Sequence, residues 1–360
     1  MQIKLGLLFG GSSGAHEVSL KAARDIAKEL QVSEYRELYN IIPFYILKNG
    51  KFSSQEIAEF TLRCPQINSE DNRSNHQENP WGMPVELTNI DVCISTILCG
   101  PGSGDGTIQG FLETLKIPCV GSSVLGATIG GDKITMKRVF SQADLPQVSY
   151  ESISDYELLS DPEKLNEFID TVESSFDYPY FVKPSRLGSS MGISKVYDRE
   201  SFKKGLSLAS NYDNRIIVEQ GVRARELSCS VLGNRILSAS TIAEKIHDSH
   251  FNDYQAKYQN RKGKFKTVID LQSDEIMRIK QLTMTAFKLA GCWDTFRADF
   301  FITEDDQQVI INEINPVFNF SKDSMYAFLW KSSGFSFPDL IHSLVTLALD
   351  RYNSKSLILE

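Results

Sequence analysis

FVKPSRLGSSMGISKV, residues 181–196, is the stretch from which the rest of the chain is read. It opens as an apolar strand ending at Lys183, passes through a loop of Pro, Ser, Arg and Gly, and closes in a second apolar strand. Gly188, Ser189, Ser190, Met191 and Gly192 let several backbone N–H groups turn toward one point, while Lys183 and the hydroxyls add charge and donors. Such a loop cradles phosphate. In a Walker loop the glycines lead from a strand into a helix headed by Lys and Ser or Thr, whereas both flanks here read as strands. An ordinary Gly-Ser hairpin is the competing reading, and residues elsewhere have to decide.

The 360 residues, 41% of them hydrophobic, suffice for two or three cores. A net charge of −8 argues against nucleic acid or an anionic membrane as partner, yet allows one local phosphate site. No apolar run approaches the roughly 18 residues of a membrane span. The N-terminal MQIKLGLLFGG enters a strand without a signal-peptide cleavage pattern, so the cytoplasm is the expected location. Six cysteines without a CxxC pair read as reduced, mostly core thiols, and five scattered histidines make a zinc hydrolase a poor fit.

Strand and helix patterns alternate along the chain. Residues 3–9 form a strand, Gly10 to Gly14 a glycine turn, and 16–30 an amphipathic helix. Further buried strands at 41–47 and 92–98 imply a parallel sheet with covering helices, a first domain over 1–122. A polar stretch at 61–89 reads in part as a long surface loop. A second glycine loop, 100–106, leads into a helix at 107–115, and both glycine loops fall at the carboxyl ends of strands, where such sheets bind ligands. One helix is expected over 124–143, carrying Asp132-Lys133 and Lys137-Arg138. Strands at 147–153, 178–182 and 215–220, with helices opening at Asp161-Pro162 and over 199–209, make a second unit, 123–221. In the third, 222–360, a hairpin is expected at Gly233-Asn234. Residues 244–266, charged and aperiodic, read as a mobile flap. A Ser273-capped helix at 273–290, a hairpin of 295–303 and 308–315, and two closing helices complete the chain.

In that last hairpin, alternation places Arg297, Asp299 and Phe301 on one face of the first strand, and Glu313 and Asn315 on one face of the second. If the strands pair with Asp299 opposite Glu313, three oxygen ligands and a guanidinium converge. Carboxylate and amide oxygens suit Mg²⁺ that also holds nucleotide phosphates. The alternative is a solvated hairpin face. Phe300, Phe301, Ile310, Ile311 and Ile314 weigh against it, because they leave little polar surface around the carboxylates.

Together these features describe a triphosphate site built from two lobes, and the chain resembles an ATP-grasp ligase, closest to the D-alanine-D-alanine ligases, over nearly its whole length. GGSSGAHEVSL at 10–20, GDGTIQG at 104–110, DKITMKR at 132–138, FVKPSRLGSSMG at 181–192, DYQAKY at 253–258, RADFF at 297–301 and NEIN at 312–315 follow the family's order and approximate spacing. The resemblance implies an α/β chain: an ATP-grasp fold preceded by a small Rossmann-like parallel-sheet domain. It implies ATP and Mg²⁺, two ions with Mn²⁺ as the alternative, as cofactors. A small acid and a small amine would be the substrates, and a homodimer is the assembly it allows. Lys133 and Lys183 would contact the nucleotide's phosphates and base region, Ser189 and Ser190 would cover the phosphates, and Lys257 would reach them from the flap. Glu219 would border the adenine and Glu226 hold the ribose. Asp299, Glu313 and Asn315 match the metal ligands. Arg297 would stabilise the oxyanion of the tetrahedral intermediate, with Ser189 and Tyr258 in a supporting hydrogen-bonded group. Ser324 and the Met325 N–H would hold the second substrate's carboxylate. In such ligases, which serve peptidoglycan synthesis, the first acid takes the terminal phosphoryl group and the second substrate's amine attacks the acyl phosphate.

The departures from the family pattern concentrate in one pocket. Where the family's Glu anchors the first substrate's ammonium stands Ala15. Cys99 and Gly104 replace a His and a Glu, Leu187 and Gln255 stand at usually acidic positions, and Pro316 to Asn319 replace a Thr-x-Pro-Gly run, although Asn319 keeps its N–H. An ammonium buried against Ala15 without a counter-charge costs ~3–5 kcal/mol. Two enzyme readings follow: a D-alanine-D-alanine ligase that solves recognition differently, or a relative whose first acid is not a simple amino acid. A third is a nucleotide-binding relative that no longer catalyses.

Overall fold

The structure, a computed structural model, describes residues 2–64, 82–98, 104–154, 161–188, 190–246, 264–268 and 270–356. It is built on three sheets. The first is parallel, in the order β2 (Tyr39–Ile46), β1 (Ile3–Gly10), β3 (Val92–Ser95), with α1 (His16–Val32), α2 (Gln55–Arg63) and α3 (Thr107–Thr114) around it. Its strands are apolar on both faces because both are covered: Leu5, Leu7 and Phe9 face one core and Leu8, Phe44 and Cys93 the other.

Residues 124–143 form two helices where one was expected. α4 (Val124–Gly131) stops, Asp132 is extended at φ −123°, and its carboxylate caps α5 (Lys133–Gln142) through the Thr135 N–H at 2.8 Å. Gly130-Gly131 weakens the helix locally, and Asp at an N-cap restarts it. The break also has a tertiary cause. A Cβ on Gly130 would lie 2.4 Å from Pro316 Cδ, so the residue after the NEIN run abuts the turn.

The second sheet is antiparallel, in the order β4 (Tyr150–Ser154), β7 (Arg215–Gln220), β5 (Tyr180–Pro184), β6 (Ser194–Val196). It packs on α6 (Pro162–Ser175) and α7 (Arg199–Ser210) through Ile169, Val172, Phe202 and Leu206, all essentially unexposed. The phosphate loop connects β5 to β6, between strands as the sequence indicates.

The third sheet runs β11 (Lys264–Thr267), β10 (Ala243–Ile246), β8 (Ala224–Gly233), β12 (Thr295–Thr303), β13 (Val309–Asn315), with β9 (Leu237–Ala239) also on β8. Gly233 pairs with Leu237 at the expected hairpin. The stretch read as an aperiodic flap is regular at both ends: β10 and β11 pair from Ala243↔Thr267 to Ile246↔Lys264. Its middle, with Gln255, Lys257 and Tyr258, lies outside the described residues. α8 (Ser273–Leu289) starts one residue earlier in its capping than expected, since Glu275 Oε2 accepts the Gln272 N–H at 2.7 Å. Of the closing helices, α9 (Met325–Ser332) bridges the third sheet and the first: Met325 and Leu329 pack with Ala243, and Trp330 Nε1 donates to Ser230 Oγ at 3.2 Å, while α10 (Phe337–Ser356) lies with the first sheet. Trp330, Leu340, Leu344 and Ala348 share one core with Leu5, Leu7 and Phe9, so the chain's end is packed beneath its first sheet.

Candidate active site

The loop between β5 and β6 is anchored where it leaves β5. The Lys133 N–H donates to Ser185 O at 3.0 Å, the Ile134 N–H to Ser185 Oγ at 3.1 Å, and that hydroxyl donates to Asp132 Oδ1 at 3.0 Å. Arg215 Nε on β7 donates to the other Asp132 oxygen at 2.7 Å. Burial pushes the Asp132 carboxyl up, but the Thr135 N–H, Arg215 and Ser185 outweigh it and hold the group below the usual range. On the far side Arg186 donates its backbone N–H to Asp213 Oδ2 at 2.7 Å and its Nε to Oδ1 at 3.0 Å. Ser190 is left-handed at φ +61°, as is Gly192 at φ +70°. A Cβ on Gly192 would sit 2.7 Å from Pro184 Cγ and 2.8 Å from Tyr212, so this position demands glycine. Ser189 lies outside the described residues. Met191 reaches the first glycine loop, where a Cβ on Gly14 would be 3.6 Å from its Sδ.

Lys133 joins the loop to the third sheet: its Nζ donates to Leu187 O at 2.9 Å and lies 3.8 Å from Glu313 Oε2. One helical turn later Lys137 points the same way. Glu219, on β7 between Tyr150 of β4 and Phe181 of β5, is only 3% exposed. Lys183 Nζ donates to its Oε2, and Lys137 Nζ stands 3.4 Å from its Oε1. Burial raises the Glu219 carboxyl, yet Lys137, Lys183 and Lys133 together outweigh that and hold it at about 2.

The hairpin has the register that convergence requires. Asp299 is opposite Glu313 and Arg297 opposite Asn315, with an irregularity after Asp299 that leaves Asn312 unmatched. Arg297 clasps Asp299 with Nε on Oδ1 at 2.7 Å and a terminal nitrogen on Oδ2 at 2.6 Å. Ser228 Oγ donates to Oδ1 at 2.6 Å and Asn315 Nδ2 to Oδ2 at 3.0 Å. Burial lowers the Arg297 guanidinium, but Asp299 and Glu313 more than compensate and its pKa is raised. With four donors Asp299 is hydrogen-bonded to capacity, so a cation taking one of its lone pairs must displace a donor. Turning the Asn315 amide over is the simplest exchange, since it replaces an N–H₂ by a carbonyl oxygen.

Asp299, Glu313 and Asn315 thus bring two carboxylates and one amide side chain together, donors of the kind that suits Mg²⁺. Among the described residues there is no cluster of three or more His, Cys, Asp or Glu that could hold a metal. Charge also fits. Lys133, Lys137, Lys183, Lys245 and Arg297 set five positive charges against four negative ones on Glu219, Glu226, Glu313 and Asp299, and a triphosphate of about four negative charges then needs added cations.

The other expected residues are more loosely joined to this centre. Glu226, opposite Phe301, receives Lys245 Nζ at 3.2 Å. Ser324 caps α9, accepting the Ala327 N–H at 3.2 Å, and its loop is tied to α1 by Lys322–Glu29 and Lys21–Asp323, both 3.0 Å. Ala15 is buried just ahead of α1 and offers that helix no side-chain cap. His16 beside it is spent on Gly11 O at 2.6 Å and Tyr45 Oη at 3.1 Å. Lys257, Tyr258 and Cys99 lie outside the described residues.

Sequence reasoning gave no role to Ser228 or Lys137. For Ser228 no local signal exists, as β8 meets Asp299 only through the sheet. For Lys137 the signal was its four-residue spacing from Lys133 on a helix.

The comparisons agree with this geometry. Residues 4–122 match the family described as D-ala D-ala ligase N-terminus, and residues 139–346 the one described as D-ala D-ala ligase C-terminus. A D-alanine--D-alanine ligase of Synechococcus sp. (strain RCC307) is 37% identical over 344 residues, 96% of this chain and 97% of that protein. The solved D-alanine-D-alanine ligase from Coxiella burnetii is 26% identical with a TM-score of 0.77, covering 99% of this chain and 97% of its own. VanG D-Ala:D-Ser ligase from Enterococcus faecalis is 25% identical with a TM-score of 0.78, covering 97% and 100%. No helix among the described residues is long and apolar enough to cross a membrane. Near-complete coverage of both family halves and of these relatives, on an ATP-grasp fold, places the chain in the D-alanine-D-alanine ligase family of ATP-dependent, amino-acid-joining enzymes.

Proposed function

We propose that the protein joins two molecules of D-alanine, cleaving ATP to ADP and phosphate by way of an acyl phosphate, in the cytoplasm. The observation that carries this is the contact of Lys133 with both Leu187 O and Glu313. It brings the phosphate loop and the carboxylate hairpin to one gap. Lys133, Lys183 and Ser190, with Ser189 and Lys257, take the nucleotide's phosphates, Glu219 the adenine edge and Glu226 the ribose. Asp299, Glu313 and Asn315 hold Mg²⁺, which neutralises phosphate charge and aligns the transferred group. Arg297, already fixed beside that set, faces the oxyanion. The amine substrate's carboxylate lies at the α9 N-terminus, where Ser324 and the Met325 N–H meet a favourable helix dipole. The chain's work is positioning and charge neutralisation.

A second reading rests on Ala15. The wall that carries a glutamate in the resembling family is a methyl group here, next to Gly14 and the apolar Met191 side chain. A first acid without an ammonium, such as a 2-hydroxy acid, meets no missing counter-charge there. Phosphate release with D-alanine alone, against D-alanine paired with D-lactate or acetate as first acid, separates the two. Turnover with D-alanine alone supports the first reading, and silence with D-alanine but turnover with the other acid supports the second. Under the second reading Ala15→Glu should also switch on D-alanine turnover.

A further inference from the structure

Lys137 is a fully enclosed cation: its side chain is 0% exposed. Its ammonium has no aligned hydrogen-bond acceptor. It lies 5.4 Å from the Tyr150 ring centroid and 3.4 Å from Glu219 Oε1. A buried cation of this kind is costly, and burial lowers its pKa against the pull of Glu219. A helix position on that face takes an apolar residue at lower cost unless the charge is needed. The need becomes visible at Glu219, which has two cations for its two oxygens: Lys137 on the inner side, Lys183 at the edge of the gap. Lys183 has two possible anions, Glu219 and the nucleotide phosphate, whereas Lys137 at 0% exposure has Glu219 alone within ion-pair distance among the described residues, Glu313 acting on it from farther off.

We propose that Lys137 is a positioning residue for the nucleotide: it is the standing counter-ion of Glu219 and thereby frees Lys183 to leave that carboxylate for an arriving phosphate. Without Lys137, a buried Glu219 holds Lys183 for itself, because releasing it strands an unpaired buried anion. The inference rests on the nucleotide reading of the gap given above.

The test is equilibrium binding of MgATP to the full-length protein by calorimetry between pH 5.5 and 8, with ATP and amino-acid KM values measured alongside. Lys137→Met is expected to weaken MgATP by about tenfold or more at pH 8, the scale of coupling between members of one charge network, with the amino-acid KM within about twofold. Its affinity should recover as pH falls, since protonating Glu219 releases Lys183, while the wild type stays flat. In Lys137→Met/Glu219→Gln no anion is left to trap Lys183, so affinity at pH 8 should exceed that of the single variant. A loss that is independent of pH and not recovered by the second substitution means a packing role and overturns the proposal, as does wild-type affinity in Lys137→Met. Lys183→Met is the control for the site itself. If that variant also binds MgATP normally, the nucleotide reading fails; if it alone weakens binding, only the role of Lys137 falls. Should Lys137→Met not fold, Lys137→Arg, which keeps the charge, must hold wild-type affinity through pH 8 for the proposal to stand.

Discussion

Asp294 offers a measurement of how the domains are held together. It is fully buried, left-handed at φ +57°, and sits directly before the strand that carries Arg297 and Asp299. Its Oδ2 accepts the Gly121 N–H at 3.0 Å and lies 3.4 Å from a terminal nitrogen of Arg351, and its Oδ1 has no partner. Arg351, on α10, donates to Gly121 O at 2.8 Å and also to Cys119 O. One carboxylate thus ties the segment that follows the first sheet, the last helix and the root of the β12–β13 hairpin. Burial pushes its pKa to about 6 from 3.8, with Arg351 and the Gly121 N–H only partly opposing.

An unfolded Asp294 gives up its proton near the ordinary value, whereas the folded one keeps it on the bare Oδ1 until about pH 6. Between those values the folded state binds more protons, so stability falls as pH rises through the window and levels off above it. A shift of about two units corresponds to about 3 kcal/mol. The nearby Cys119 thiol and Tyr326 phenol do not titrate there: burial pushes the thiol up to about 12 and raises the phenol as well. Asp294→Asn retains an acceptor for Gly121 but cannot ionise. Urea unfolding of both proteins from pH 3.5 to 7.5, followed by tryptophan fluorescence, should show wild-type stability minus variant stability falling by about 2 kcal/mol as pH rises from 4 to 6.5, most of the full effect, because titrations common to both proteins cancel. A difference constant to within about 0.5 kcal/mol across that range refutes the account.

Arg297→Met should lower kcat by about 10²–10³-fold while leaving the KM for ATP nearly unchanged, as expected for a group that meets the substrate's developing charge in the transition state; steady-state ADP release checks both. Gly130→Ala drives a methyl to 2.4 Å from Pro316 Cδ and 2.5 Å from its Cγ. Overpacking of that kind costs about 1–3 kcal/mol, and because Pro316 directly follows Asn315, turnover should drop and the Mg²⁺ concentration for half-maximal rate should rise.

What the sequence discloses divides along physical lines. Local chemistry is legible: period-two alternation put Arg297 with Asp299 and Glu313 with Asn315, and glycine spacing located the loop between β5 and β6. Register is a different matter. The pairing of Asp299 with Glu313 depends on where the strand turns and on the skipped Asn312, and neither leaves a mark in a hydrophobic pattern. The break at Asp132 was missed for a related reason. A local pattern of Val124 to Phe140 supports one helix, and the agents that divide it are Pro316, abutting Gly130, and Ser185 and Arg215, gathered on Asp132 from other elements. Lys137 shows the limit most sharply. On a helix a lysine reads as solvated, because its burial is a property of Tyr150 above it and Glu219 beside it, both brought there by a sheet that the helix does not belong to. Charges that only the assembled fold can bury and pay for are therefore the residues a sequence reading passes over, and in this chain Lys137 is such a charge, set behind Glu219 and Lys183 at the gap proposed above for the nucleotide.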